Sequence, residues 1–104
     1  MNTMADKSLG MLGMATKAGK TVSGEFATMK AIKEGKAKLV IVAEDASDNT
    51  KKVFNDKCTY YDIPILVKGT MDELGRMTGH AKRASVAVTD RGFKDILMKK
   101  IEDM

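Results

Sequence analysis

The sequence predicts an α/β fold: a three-layer α/β/α sandwich on a four-stranded mixed sheet, its elements alternating αβαβαβαβα. Three observations carry this reading. Segments with helical spacing alternate strictly with short β-branched runs along the 104 residues, and such alternation puts helices on both faces of one sheet. Lys38 to Ala43 (KLVIVA) is an almost continuous apolar run, as in a central strand covered on both faces. The hydrophobic fraction of 43% is that of a globular chain, which argues against wholesale disorder. A chain of this length can bury one core. With no repeat, linker or low-complexity tract, residues 1–104 are expected to form a single domain.

The elements follow in order. Ser8 to Ala18 is a helix, with Leu9, Leu12, Ala15 and Thr16 on one face, Asp6 or Ser8 as its cap, and Gly19 as its left-handed stop. Thr21 to Ser23 is a short strand. Gly24 breaks it and opens a helix over Glu25 to Glu34, closed by Gly35. After the KLVIVA strand, Glu44 to Asn49 is polar and turn-like, and Asp48 is the expected cap of a helix over Asn49 to Tyr61 that buries Val53, Phe54 and Cys58. Ile63 to Lys68 is a strand with the single proline, Pro64, at its start, where a missing N–H is tolerated. Thr70 caps a short helix, Met71 to Met77, ended by Gly79. Ser85 to Thr89 is the last strand. Asp90 to Met104 is a helix with Phe93, Ile96, Leu97 and Ile101 on its inner side.

Composition narrows the function. The formal charge is +4 and the isoelectric point about 9.2, which favours polyanionic partners by Coulomb attraction and counterion release. No apolar run approaches the ~20 residues of a membrane span. Met1 to Lys7 lacks the apolar stretch of a signal peptide. The lone cysteine, Cys58, excludes an internal disulfide. These features predict a cytoplasmic protein with no membrane partner; a monomer is expected, although nothing in the sequence fixes the oligomeric state.

Several chemistries fall away. Gly19-Lys20-Thr21 looks like the end of a phosphate-binding P-loop, but Gly13 is one residue too far upstream, and the segment leaves a helix for a strand where a P-loop does the reverse. One histidine and one cysteine cannot close a zinc site without several carboxylates. Cys58 reads as a buried helix thiol and His80 as a loop residue. Asp45 and Asp48 read as turn and cap residues. Met11, Met14, Met29 and Met77 are spread over three helices, not gathered in one stripe, and read as core. No catalytic residue, metal site or cofactor is expected.

What remains is a basic constellation around Gly24. A helix N-terminus offers free N–H groups and partial positive charge to a phosphate, and glycine there permits close backbone approach. Lys17 and Lys20 precede it, Lys30 and Lys33 project from its helix, and Lys82-Arg83 sits in a later loop with Gly79 and His80. Two basic loops at corresponding ends of neighbouring elements would form a phosphate cradle. Lys36 and Lys38 read as solvated surface, Lys30 and Arg83 as functional.

The stretch GEFATMKAIKEGKAKLVIVAEDA, followed by YYDIPILV, LGRMTG and SVAV, resembles the kink-turn RNA-binding ribosomal protein superfamily. That group includes an archaeal large-subunit protein and small bacterial relatives of the YlxQ type. The resemblance runs from about Leu9 to Thr89. It implies the same sandwich, and structured, kink-turn-like RNA, ribosomal or in another ribonucleoprotein, as the partner. It implies contact through the start of the second helix (Gly24, Glu25, Phe26, Lys30), the turn Glu44-Asp45-Ala46-Ser47, and the loop His80, Ala81, Lys82 and Arg83. The sequence departs from the family where Asn-Glu would read the sheared base pairs: Phe26 and Ala27 stand there and cannot make those hydrogen bonds. The late loop is also one residue shorter than the family's and more charged.

Phe26 then has two readings. With Met29 and Ile32 it forms a buried face, or Thr28, Ala31 and Ile32 face the sheet and Phe26 projects outward to stack on an unpaired base. Three functions follow: an RNA-binding module, a protein-interaction module that reuses the fold, and a nucleotide-dependent enzyme built on Gly19-Lys20-Thr21. The first is the expected one.

Overall fold

A computed structural model describes the backbone of residues 3–102 and the side chains of residues 9–100. The described elements are α1 (Thr3–Lys17), β1 (Thr21–Ser23), α2 (Glu25–Lys33), β2 (Leu39–Val42), α3 (Asp48–Tyr61), β3 (Ile65–Val67), α4 (Met71–Met77), β4 (Ser85–Val88) and α5 (Arg91–Glu102). The strands form one mixed sheet in the order β1-β4-β2-β3. β4 runs antiparallel to both neighbours, with Val22 opposite Ala87 and Val40 opposite Ala87, while β2 and β3 are parallel. Helices α2 and α3 pack together on one face, and α1 packs with α4 and α5 on the other. The three-layer sandwich is the one the alternation predicts.

The central strands are buried along their whole length. Every residue of β2 and of β4 is buried, because helices cover both faces. Leu9, Leu12 and Ala15 of α1, Ile32 of α2, Phe54 and Cys58 of α3, Leu74 of α4 and Leu97 of α5 close the core around them. Burial raises the Cys58 thiol from its ordinary value of 9.0 to about 11, because an apolar shell disfavours the thiolate.

Several boundaries differ from expectation. Helix α1 begins at Thr3, so Asp6 and Ser8 lie inside it and do not start it. Ser47, not Asp48, caps α3: the Ser47 hydroxyl accepts from Thr50 N at 3.1 Å, and Asp48 is the first helical residue. Serine one residue earlier satisfies the same free N–H groups and leaves Asp48 to favour the positive helix end. Strand β3 is shorter than Ile63 to Lys68, although Pro64 O accepts from Val40 N and Lys68 N donates to Val42 O. Pro64 therefore serves as an acceptor where its missing N–H costs nothing. Asp90 lies just outside α5 and caps it, accepting from Phe93 N at 3.0 Å.

Two apolar side chains expected inside face outward. Met14 is 58% exposed and Ile96 43%. Helix α5 buries Leu97, with Phe93 and Met98 packed against the core, so Ile96 falls on the shoulder of the buried stripe. Ile101 lies outside the described side chains.

Candidate nucleic-acid interface

Strand polarity decides what can converge. Ser23 pairs with Val86, Val42 pairs with Ser85, and Val42 also pairs with Val67. The ends of β1, β2 and β3 and the start of β4 therefore share one edge of the sheet. From that edge emerge the start of α2 at Gly24, the Glu44–Ser47 turn and the loop ending at Arg83. Sequence separation of up to 60 residues is erased by this topology.

The Gly24 corner is built in contact with Arg83. Gly24 N donates to Ser85 O at 2.9 Å. Its φ of 93° is left-handed, and a Cβ placed there would meet Arg83 Nε at 3.8 Å. Arg83 Nε donates to Ser23 Oγ at 3.1 Å and its Nη1 to Lys82 O at 3.2 Å. A guanidinium has five N–H donors in a fixed fork, so donors beyond these two remain for an acceptor arriving at the helix start. Ser23 was not singled out from sequence. Only the antiparallel pairing of β1 with β4 brings its hydroxyl to Arg83.

Helix α2 turns one face inward and one outward. Thr28, Ala31 and Ile32 are buried, while Phe26 is 82% exposed. The outward stripe carries Phe26, Lys30 and Lys33, which with Met29 line one shallow groove. Their i, i+4, i+7 spacing puts them on one side of the helix. Glu25 is exposed in the first turn. Among the described residues, no ion pair engages Lys30, Lys33, Lys82 or Arg83.

The turn residues are held by backbone. Glu44 Oε2 accepts from Gly69 N at 3.0 Å and Asp45 Oδ1 from Met71 N at 2.8 Å. Glu44 N in turn donates to Gly69 O. These carboxylates fasten the turn to the β3–α4 connection, and Ser47 is occupied in capping α3.

The late loop is seated on α4. His80 N donates to Gly75 O at 2.7 Å and Arg83 N to Met71 O at 3.1 Å. A Cβ at Gly75 would fall 2.6 Å from Ala81 O and 2.8 Å from Lys82 Cα, so only glycine allows the loop to lie this close. His80 and Lys82 are exposed, and Arg83 is half-buried. Gly75 is the second residue that sequence reasoning missed, because the close approach is made by a loop six residues away.

Lys17 and Lys20 do not join this group. Lys20 O accepts from Thr89 N, which puts Lys20 at the opposite end of β1, ~13 Å from Gly24 at about 3.3 Å per residue. Lys17 closes α1 beside it. Proximity in sequence suggested one corner, and the extended strand between them separates the ends. His80 is exposed and Cys58 buried. Among the described residues no cluster of His, Cys, Asp and Glu could hold a metal ion.

Comparison with known proteins agrees with this architecture. Residues 6–98 match the ribosomal protein L7Ae/L30e/S12e/Gadd45 family. The chain is 45% identical to RNA-binding protein YlxQ of Bacillus subtilis over 92 residues, covering 88% of this chain and 92% of the relative. It is 38% identical to large ribosomal subunit protein eL30 of Yarrowia lipolytica, covering 83% and 81%. A solved structure of a Bacillus halodurans protein of unknown function superposes with a TM-score of 0.87 at 40% identity, covering 92% of this chain and 97% of that one.

Proposed function

Because the chain belongs to the ribosomal protein L7Ae/L30e/S12e/Gadd45 family, we propose that it binds structured, kink-turn-like RNA at the Gly24 edge of the sheet. The observation that carries the proposal is the contact between Arg83 and the Ser23–Gly24 helix start, with Phe26 exposed beside it. The free N–H groups of α2 and the remaining Arg83 donors take the phosphates of a sharply bent backbone. Lys82 and, further along α2, Lys30 add counter-charge beside them, and Lys33, in the last turn and ~13 Å from the helix start at about 1.5 Å per residue, extends that charge along the helix. The name of the Bacillus subtilis relative supports RNA as the ligand class.

Phe26 and Ala27 set the mode of readout. Neither side chain can hydrogen-bond a base edge, so specificity comes from backbone shape and from a base stacked on Phe26, an interaction of about 1–3 kcal/mol. Glu44, Asp45 and Ser47 act as positioning residues, since their side chains already hold backbone N–H groups. The role is one of binding, with no catalytic step, for a single-domain cytoplasmic monomer that joins a ribosomal or other ribonucleoprotein particle.

Titration of a kink-turn RNA against a straight duplex, at two salt concentrations, tests this. Phe26→Ala is expected to weaken kinked-RNA binding by about 1–3 kcal/mol while leaving the salt slope unchanged. Lys30→Gln is expected to flatten that slope by about one unit. Equal affinity for the straight duplex overturns shape recognition. Copurification with a protein that survives nuclease and high salt, without RNA affinity, would favour the protein-interaction reading.

A further inference from the structure

The opposite end of the sheet carries a second cluster of cations and aromatic rings that the Gly24 edge does not use. The α2–β2 turn, the α3–β3 turn and the start of α5 surround a basin open to solvent, lined by Lys38, Tyr61, Asp62, Arg91 and Lys94. Three cations on two elements face one carboxylate. Lys38 Nζ donates to Gly35 O at 3.4 Å, and Lys94 lies 3.4 Å from the exposed carboxylate of Asp95. Among the described residues, no ion pair engages Lys38 or Arg91. Lys20 adds a further charge at the same end: Thr89 N donates to Lys20 O, and Lys38 N to the adjacent Val88 O.

The aromatic part is equally specific in place. Tyr61 lines the basin and is 39% exposed, and Tyr60 is 80% exposed beside it. The two rings meet edge to face at 5.0 Å, a favoured aromatic geometry that steadies the Tyr61 ring. Cations flanking an accessible ring suit a nucleic-acid strand, with phosphates on the charges and an unpaired base on the ring. The basin is open to solvent on one side, and its cations come from two separate segments, the α2–β2 connection and α5, which suits successive phosphates of a strand.

We propose that this basin is a second RNA-binding surface, which takes a single-stranded segment with its phosphates on Lys38, Arg91 and Lys94 and a base stacked on Tyr61. The proposal rests on the reading of the chain as an RNA-binding protein, and it reassigns Lys38 from solvated surface to contact. Strand β2 separates the two surfaces by ~13 Å at about 3.3 Å per residue, so a folded RNA on the Gly24 edge leaves the basin free for a flanking strand.

The composition provides a clean reporter. The chain has two tyrosines, no tryptophan and three phenylalanines; Tyr61 lines this basin and Tyr60 meets its ring edge to face. Fluorine NMR on fluorotyrosine-labelled protein therefore reads the basin, and fluorophenylalanine labelling reads the other edge through Phe26. The probe is an oligouridylate of about eight nucleotides, within the usual range of single-strand site sizes. The fluorotyrosine signals are expected to shift saturably, also when a kinked RNA already occupies the Gly24 edge. Affinity should fall with salt at a log–log slope of about −2, three contacts at roughly −0.7 each.

The double variant Lys38→Gln/Arg91→Gln is expected to weaken oligouridylate at least fivefold and to bring that slope to about −0.7, one contact remaining. An unchanged Phe26 response to kinked RNA shows that this variant is folded, and Tyr61→Leu should weaken oligouridylate binding, read at the remaining Tyr60 signal, by a route that leaves the charges intact. Fluorotyrosine signals that stay fixed while Phe26 responds to kinked RNA overturn the second surface alone. An equal response to uridine monophosphate at the same phosphate concentration also overturns it, in favour of a small-anion site. A tyrosine response without any Phe26 response to kinked RNA supports this surface and refutes the Gly24 edge.

Discussion

Replacing Gly75 by alanine is expected to destabilise the fold and to loosen the loop that carries Lys82 and Arg83. In an open helix position the same substitution stabilises by about 0.5–1 kcal/mol, because glycine pays more backbone entropy. At Gly75 the new Cβ would lie 2.6 Å from Ala81 O, 2.7 Å from Ala81 C and 2.8 Å from Lys82 Cα. All three are backbone atoms, so no side-chain rotation relieves the collision. The loop must withdraw by roughly 0.8 Å to regain ordinary contact. Overpacking of this kind costs about 1–3 kcal/mol, and the His80 N to Gly75 O hydrogen bond weakens with it. The net loss should be about 1–2 kcal/mol once the helix gain is set against these terms.

Gly10→Ala is the matched control. It also lies in a helix, and a Cβ there meets nothing within 4 Å, so it should stabilise by up to about 1 kcal/mol. Urea unfolding of both variants measures the two free energies, and their difference isolates the collision from helix propensity. Kinked-RNA affinity should fall in Gly75→Ala and stay constant in Gly10→Ala, since only the first displaces Arg83. A Gly75→Ala protein as stable as the Gly10→Ala protein would refute the reasoning that the loop is held by close backbone contact.

Three further outcomes are expected. Phe54→Ala should cost about 3–5 kcal/mol in urea unfolding, because Phe54 is fully buried in α3. Ser85→Ala should be neutral or stabilising by about 1 kcal/mol, since the Ser85 hydroxyl is buried without a protein hydrogen-bond partner. A loss above that size would show that the hydroxyl is bonded in solution. The Cys58 thiol is held neutral up to about 11 against an ordinary 9.0, so the native protein binds more protons than the unfolded chain between these values. Its contribution to stability is therefore complete below about pH 9 and lost as pH rises toward 11. A Cys58→Ala variant should lose this part of the alkaline fall in unfolding midpoint, and native Cys58 should resist thiol reagents until the chain unfolds.

Local chemistry in the sequence determined the element order, the burial of β2 and the glycine stops. KLVIVA has no polar face to turn outward, and Gly19, Gly35 and Gly79 adopt the left-handed φ that ends a helix. The outward side of α2 was left open between two faces by its spacing. The packing of Thr28, Ala31 and Ile32 against the sheet decided it, and with it the exposure of Phe26. Caps moved by a residue because Ser47 and Asp48 are both competent to accept a helix N–H, and only the observed backbone selects Ser47.

The sites depended on long-range order. Ser23 and Arg83 are 60 residues apart, yet the antiparallel pairing of β1 with β4 brings them into a hydrogen bond beside Gly24. The same pairing sends Lys20 to the other end of β1, away from the glycine it nearly adjoins in sequence. A periodic pattern shows which face of an element is apolar. Strand order and direction are set by how all the elements pack together, so the convergence of Arg83 on Gly24, and of Lys38 and Arg91 on Tyr61, was decided by the tertiary structure alone.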